Sequence, residues 1–297
     1  MNSAAPSTST TPLTSSPETR WPAPLSAREW DDRFPGILDS IALLAGSANV
    51  IMQLALRPVG YGVMESRVES GQIFRHPIKR TRTTMTYLAV ALMGTAEEKM
   101  LYRKAVNRSH AQVNSTTRSP VQYNAFDPSL QLWVAACLYW GISDTMNKLR
   151  GAHSPAQAAE FYQRAAPLGT TLQVRPDMWP ADLDAFNAYW ENGLTQLHID
   201  EPVRIYLTRL ADLKFVHPLL RKLFGPFNRF VTIGFLPPQI REAMHFSWSA
   251  EQQEKFERVL AIASAVNRSL PRTVRQLPFN LMMWDFRRRV RKGLPLV

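Results

Sequence analysis

The chain of 297 residues is 45% hydrophobic and 20% charged, with a formal net charge of +11. Such a composition is ordinary for a globular protein, and the length supports one large core or two small ones. A single cysteine, Cys137, excludes an intramolecular disulfide, a Cys-x-x-Cys-His haem attachment and any cysteine-rich zinc site.

Residues 1–26 are rich in Ser, Thr, Ala and Pro and hold few large apolar side chains. They cannot bury enough surface to offset their ordering entropy, so a disordered tail is expected. No basic region followed by an apolar one opens the chain, so a cytoplasmic location is expected, with peripheral membrane contact as a variant. Residues 27–297 are expected to form one all-α domain. The most apolar stretch, Ile37 to Leu56, is interrupted by Asp39, Ser40, Gly46, Ser47, Asn49 and Gln53. It reads as a buried helix ending at Pro58 rather than a membrane span. Pro77 opens a helix that Gly94 closes, and Thr95-Ala-Glu-Glu98 is a capping box for a helix to about Val113. Asp127-Pro128 starts a helix with Leu130, Trp133, Val134, Cys137, Leu138 and Gly141 on one stripe. Cys137 on that stripe reads as a small buried hydrophobe. Ser154-Pro155, Pro180 and Pro202 open further helices, the second running to Leu194 and the third to about Leu213. Ser249 with Gln252 forms another capping box, for a helix to about Asn267, and Leu277 to Val290 is the last apolar segment. Thr170 to Val174 is the one strand-like alternation.

The positive charge concentrates in two places, Arg75 to Arg118 and the C-terminal RRRVRKG from Arg287 to Gly293. The second follows an apolar, aromatic segment and suits either an anionic membrane surface or a solvated helix end. Helical spacing places Tyr102, Val106, His110 and Val113 on one face, so His110 points inward. A buried imidazole is neutral, the form that ligates a metal; the alternative is a core histidine bonded to a backbone carbonyl. Arg80 and Thr84 stand one turn apart on a helix whose first turns also hold Lys79 and Arg82. Cations there oppose the helix dipole, so this end reads either as an anion site or as a solvated basic surface. His198-Ile-Asp200, with His217 or His245, outlines a non-haem iron triad, although Asp200 also reads as a helix cap. No His-Glu-x-x-His, Gly-x-Gly-x-x-Gly, phosphate-binding loop or Gly-x-Ser-x-Gly occurs.

Taken in order, NVIMQLALRPVGYGV, Pro77 with Arg80 and Thr84, VNRSHAQV, YNAFDPSLQLWV and FVTIGFLPPQIRE resemble the haem-dependent oxygenase family of latex-clearing protein (rubber oxygenase) and the mpaB-type oxygenases. The resemblance runs from about Asn49 to Leu260. It implies an all-α fold enclosing a b-type haem (iron), with His110 as the proximal iron ligand. It also implies that Arg80 and Thr84 lie near the haem as catalytic and cofactor-binding residues. Trp133 and Leu130 are then expected in the apolar wall around cofactor and substrate. Implied partners are dioxygen and a hydrophobic, isoprenoid or lipid-like substrate, with no specific nucleic acid. The sequence departs from the pattern at Thr83, where latex-clearing protein has a lysine, and at Arg57 and Ala135, where many relatives have histidine. These departures leave two other readings open: haem binding without turnover, and a haem-free helical protein that binds anionic membrane or nucleic acid.

Overall fold

The computed structural model describes residues 22–68 and 71–297. Most of the expected tail therefore lies outside the described residues. Residues 22–26 do not behave as a tail: Leu25 is buried, the Ala23 carbonyl accepts from Arg164 (3.1 Å), and Ser26 caps the first helix.

The described residues form a single all-helical domain. In chain order the helices are α1 (Ala27–Arg33), a 3-10 turn (Ser40–Ala45), α2 (Gly46–Ala55), α3 (Arg57–Met64), α4 (Pro77–Met93), α5 (Ala96–His110) and α6 (Pro128–Arg150). Then come α7 (Pro155–Ala165), α8 (Pro167–Thr170), α9 (Leu183–Thr195), α10 (Glu201–Ala211) and α11 (Pro218–Phe235). The chain ends with α12 (Pro238–Ala243), α13 (Ala250–Ser269), α14 (Arg272–Arg275) and α15 (Leu277–Arg291).

Most helix starts follow from local chemistry. The Ser26, Thr95, Ser154 and Ser249 hydroxyls each accept from the N3 amide, and the N3 Glu or Gln answers to the cap amide. Asp127 and Asp182 cap α6 and α9 by the same logic. Asp200 stands at the cap position of α10 but does not cap it, because Arg57 Nε and Tyr61 Oη donate to its carboxylate, both at 2.8 Å. α5 stops at His110 rather than Val113: the Gln112 and Val113 amides close short bonds to Ser109 and His110, and Asn114 then bridges to Asn124. The strand expected over Thr170–Val174 is absent. Thr170 and Thr171 instead donate backward to Ala166 and Pro167, finishing α8.

The apolar stretch expected as one helix is broken twice. A 3-10 turn precedes α2, and the path bends by 109° at Leu56 before α3. Pro58 lacks the amide that would bond the Leu54 carbonyl, so the helix cannot continue. Gly60 then lets α3 fold back, since a Cβ there would meet the Leu54 carbonyl at 2.6 Å. Among the described residues no single helix is long and apolar enough to cross a membrane.

The core centres on α6, which is buried on nearly every side, Cys137 included. Tyr139 meets Phe161, Tyr162, Trp179 and Phe186, while Trp133 and Trp140 stack on the two faces of Trp190 at 5.3 and 4.9 Å. α15 packs along α4, and Phe286 meets Tyr102 of α5 edge-on.

Candidate functional site

The site is built by α4, α5 and α10. α4 changes character along its length: its first turns carry Lys79, Arg80 and Arg82, and its last turns are buried at Met85, Thr86 and Ala89 to Leu92. Burial of those last turns fixes the helix and so fixes the cationic end. α5 runs back against it, with Tyr102 Oη donating to the Thr83 carbonyl at 2.7 Å. This contact sets the register that carries His110, at the far end of α5, to the neighbourhood of Arg80.

His110 is half-buried, with the ring of Phe126 edge-on at 6.3 Å. Its Nδ1 is buried and has no hydrogen-bond partner. Burial, and then the charge of Arg80, push its pKa down to about 4. The imidazole is therefore neutral at pH 7 and offers an unengaged nitrogen. The alternative of a histidine settled on a backbone carbonyl does not describe this Nδ1.

Arg80 is half-buried, and burial lowers its guanidinium pKa, with the Tyr206 and Tyr102 hydroxyls as the groups it feels. Among the described residues no carboxylate pairs with it. Arg103 and Lys104 of α5, by contrast, are exposed. Arg80 and His110 keep accessible surface while desolvation dominates their titration. Both groups are thus screened from bulk solvent by the residues around them. A desolvated guanidinium beside a neutral imidazole can hold an anionic oxygen group next to a metal ligand.

Thr84 is half-buried one turn beyond Arg80. The Thr83 hydroxyl is turned onto its own helix and donates to the Lys79 carbonyl at 2.9 Å. Trp133 lies in the core, donating from Nε1 to the Met52 and Gln53 carbonyls at 3.3 and 3.2 Å, over a Gly193 whose Cβ would meet its ring at 2.5 Å. Leu130 is half-buried on the first turn of α6. Ala135 is buried against α8, where a Cβ on Gly169 would stand 3.1 Å from the Ala135 methyl group, so no imidazole fits there. Arg57 is committed to Asp200.

His198 Nε2 reaches Asp200 at 3.0 Å, but the outlined iron triad does not assemble. Among the described residues no group of three or more His, Cys, Asp and Glu is placed to hold a metal ion. His217 caps α11, and His245 sits at φ +57° beyond α12.

Two residues beside Arg80 carry no local signal in the sequence. Tyr206 of α10 faces Arg80, and Phe74 packs edge-on to Tyr206 (5.0 Å) and Phe215 (6.2 Å), with Arg209 over its ring at 4.8 Å. Only the docking of α10 brings them together.

A family model described as "ER-bound oxygenase mpaB/B'/Rubber oxygenase, catalytic domain" matches residues 36–265. Two curated relatives, uncharacterized protein Mb2261 of Mycobacterium bovis and uncharacterized protein Rv2237 of Mycobacterium tuberculosis, are each 49% identical over 255 residues. Those residues are 86% of this chain and 100% of each relative. No solved structure matches the chain.

Proposed function

The chain belongs to the mpaB/rubber oxygenase catalytic-domain family, and from that premise we propose that it is a haem-b-dependent oxygenase of a hydrophobic small molecule, with His110 as the iron ligand. The observation that carries the reading is the orphaned, buried Nδ1 of His110 beside Arg80, which no carboxylate among the described residues pairs. The family is an oxygenase family; haem, substrate and residue roles are the proposal.

The residues present fit the group. With a pKa near 4, His110 carries no proton that a metal must displace at neutral pH. Arg80 supplies the counter-charge for a propionate carboxylate or another anionic oxygen. Thr84 adds a hydroxyl one turn along the same helix face. Phe126 packs on the His110 ring, and Phe74 on Tyr206, so apolar surface adjoins both groups. Bound haem would supply the dioxygen and one-electron chemistry that no side chain here can perform. Trp133, which stacks on Trp190 in the core, is assigned to the apolar wall by the family resemblance alone.

The test is an absorption spectrum of the chain expressed with haem precursor. A Soret band at near-stoichiometric haem, lost in His110→Ala and kept in His198→Ala, is expected. A colourless protein that also refuses added haemin sinks the reading. Haem binding without turnover is the second reading, supported by the Thr83 hydroxyl, which is committed to the Lys79 carbonyl where latex-clearing protein has a lysine. A stoichiometric haem spectrum with no oxygen consumption across a lipid panel would select it.

A further inference from the structure

α11 is the odd helix of the fold. Its second half, Val231 to Phe235, is buried, but Pro218 to Phe224 are exposed one after another. Leu219, Leu220, Leu223, Phe224 and Phe227 are 46–69% exposed. At roughly 100° per residue these five side chains occupy one arc of roughly 140°. Arg221 flanks one border of the arc and Lys222 the other. A soluble helix places its apolar arc inward; here the arc faces out and the cations frame it.

The charge around it has one sign. Between residues 209 and 229 stand Arg209, Lys214, Arg221, Lys222 and Arg229 against a single acid, Asp212. Arg229 already holds Asp212 at 2.8 Å. Lys214, Arg221 and Lys222 have no ion-pair partner among the described residues. A protein partner with an ordinary mixed surface gains little from a border of cations only. A sheet of lipid phosphates with hydrocarbon beneath it matches both parts of the face.

The position of the face adds a consequence. The turn before α11 holds Phe215, which packs on Phe74, which packs on Tyr206, which faces Arg80. The apolar arc and the candidate site are thus joined by one aromatic chain. Leu213, at φ +53°, holds the sharp reversal between α10 and α11 that brings them together.

We propose that the first half of α11 seats in the interface of an anionic lipid membrane, with Leu223 and Phe224 inserted and Arg221 and Lys222 on the phosphates. Seated so, the Phe215–Phe74–Tyr206 side of the site is turned to the lipid, and an apolar substrate enters from the bilayer rather than from water. The entry route rests on the oxygenase reading; the docking does not.

The experiment is co-sedimentation of the full chain with vesicles of phosphatidylcholine, with and without phosphatidylglycerol. Binding to the phosphatidylglycerol vesicles is expected, with weak binding to phosphatidylcholine alone. The double variant Leu223→Asp/Phe224→Asp lowers partitioning by about tenfold or more. Arg221→Gln/Lys222→Gln lowers it on anionic vesicles only. Leu281→Asp/Trp284→Asp on α15, another exposed apolar stripe, leaves it unchanged. Both altered sites are exposed, so the fold is retained, as thermal melting checks. His110→Ala binds vesicles like the wild type, which separates failure of docking from failure of the haem reading. The proposal is overturned if anionic vesicles do not bind, or if the α11 variants bind like the wild type. It is equally overturned if sedimentation velocity shows a dimer that Leu223→Asp/Phe224→Asp abolishes while vesicle binding persists.

Discussion

Two of the clusters that bring guanidinium groups into this protein are finished differently. Around Asp39, which is fully buried, the carboxylate is answered: Arg150 donates at 2.6 Å, Arg275 at 2.7 and 2.8 Å, and Asn267 at 2.6 Å, although Arg275 Nε and Asp31 Oδ1 stay bare. Arg275 also reaches Asp31 at 3.2 Å, tying α14 to α1. Around Arg80 the guanidinium has tyrosines for neighbours and no carboxylate among the described residues, and the nearby His110 leaves Nδ1 bare. The Asp39 cluster is closed in its charges, each cation facing a carboxylate, and it joins the two ends of the domain. The Arg80 cluster is open and wants an anion and a Lewis acid from outside. Bare polar atoms occur in both clusters; the difference is a desolvated charge that no carboxylate among the described residues answers, and such a charge is costly unless a ligand meets it.

The largest effect is expected where the closed network is broken. Asp39→Ala strands Arg150 and leaves Arg275 with Asp31 alone, and should cost about 3–5 kcal/mol, read as a fall in the urea midpoint. Replacing Asp39 together with Arg150 and Arg275 by apolar residues should recover part of that loss. A loss under about 1 kcal/mol for Asp39→Ala would show the network to be a bystander. The open cluster should respond the opposite way. Arg80→Met removes a desolvated charge that no carboxylate among the described residues pairs, so stability of the ligand-free chain should hold or rise by about 1 kcal/mol. Haem retention should fall in the same variant. A clear destabilisation of the ligand-free chain by Arg80→Met would mean that Arg80 is structural, and the contrast between the clusters would be gone.

Sequence patterning revealed one half of this contrast better than the other. Capping boxes at Thr95 and Ser249, and the Ser154-Pro155 pair, marked helix starts that the structure keeps, because caps are local chemistry. The inward face of α5 and the buried stripe of α6 followed from helical spacing. Asp39, by contrast, looked like an interruption in an apolar run, since its partners lie 111, 228 and 236 residues away. Tyr206 and Phe74 joined Arg80 only through the docking of α10. No helix was expected over α11, which holds Pro226 in its interior. The proline is tolerated there because it and Lys222, whose carbonyl loses a donor, lie on the exposed side. Asp200 had the right type and position for a cap, yet Arg57 and Tyr61 compete for it from α3.

The smallest effect tests the same contrast through one proton. His110 has a folded pKa of about 4 against an ordinary 6.5. Between those values the unfolded chain binds the proton and the folded one does not, so unfolding takes up protons. Stability of the haem-free chain should therefore fall as pH drops through 6.5 and stop falling on this account below about 4. His153, also lowered by burial, contributes with the same sign, so the informative quantity is the difference from a His110→Gln variant, whose slope should be flatter in that window. Burial is the larger cause at His110 and the Arg80 charge the smaller. In Arg80→Met the His110 pKa, followed by NMR, should thus move part of the way toward 6.5 and remain well below it. No movement would place the two groups outside each other's field. A return to 6.5 would make the charge, not burial, the main cause, and His110 would not be screened from bulk solvent.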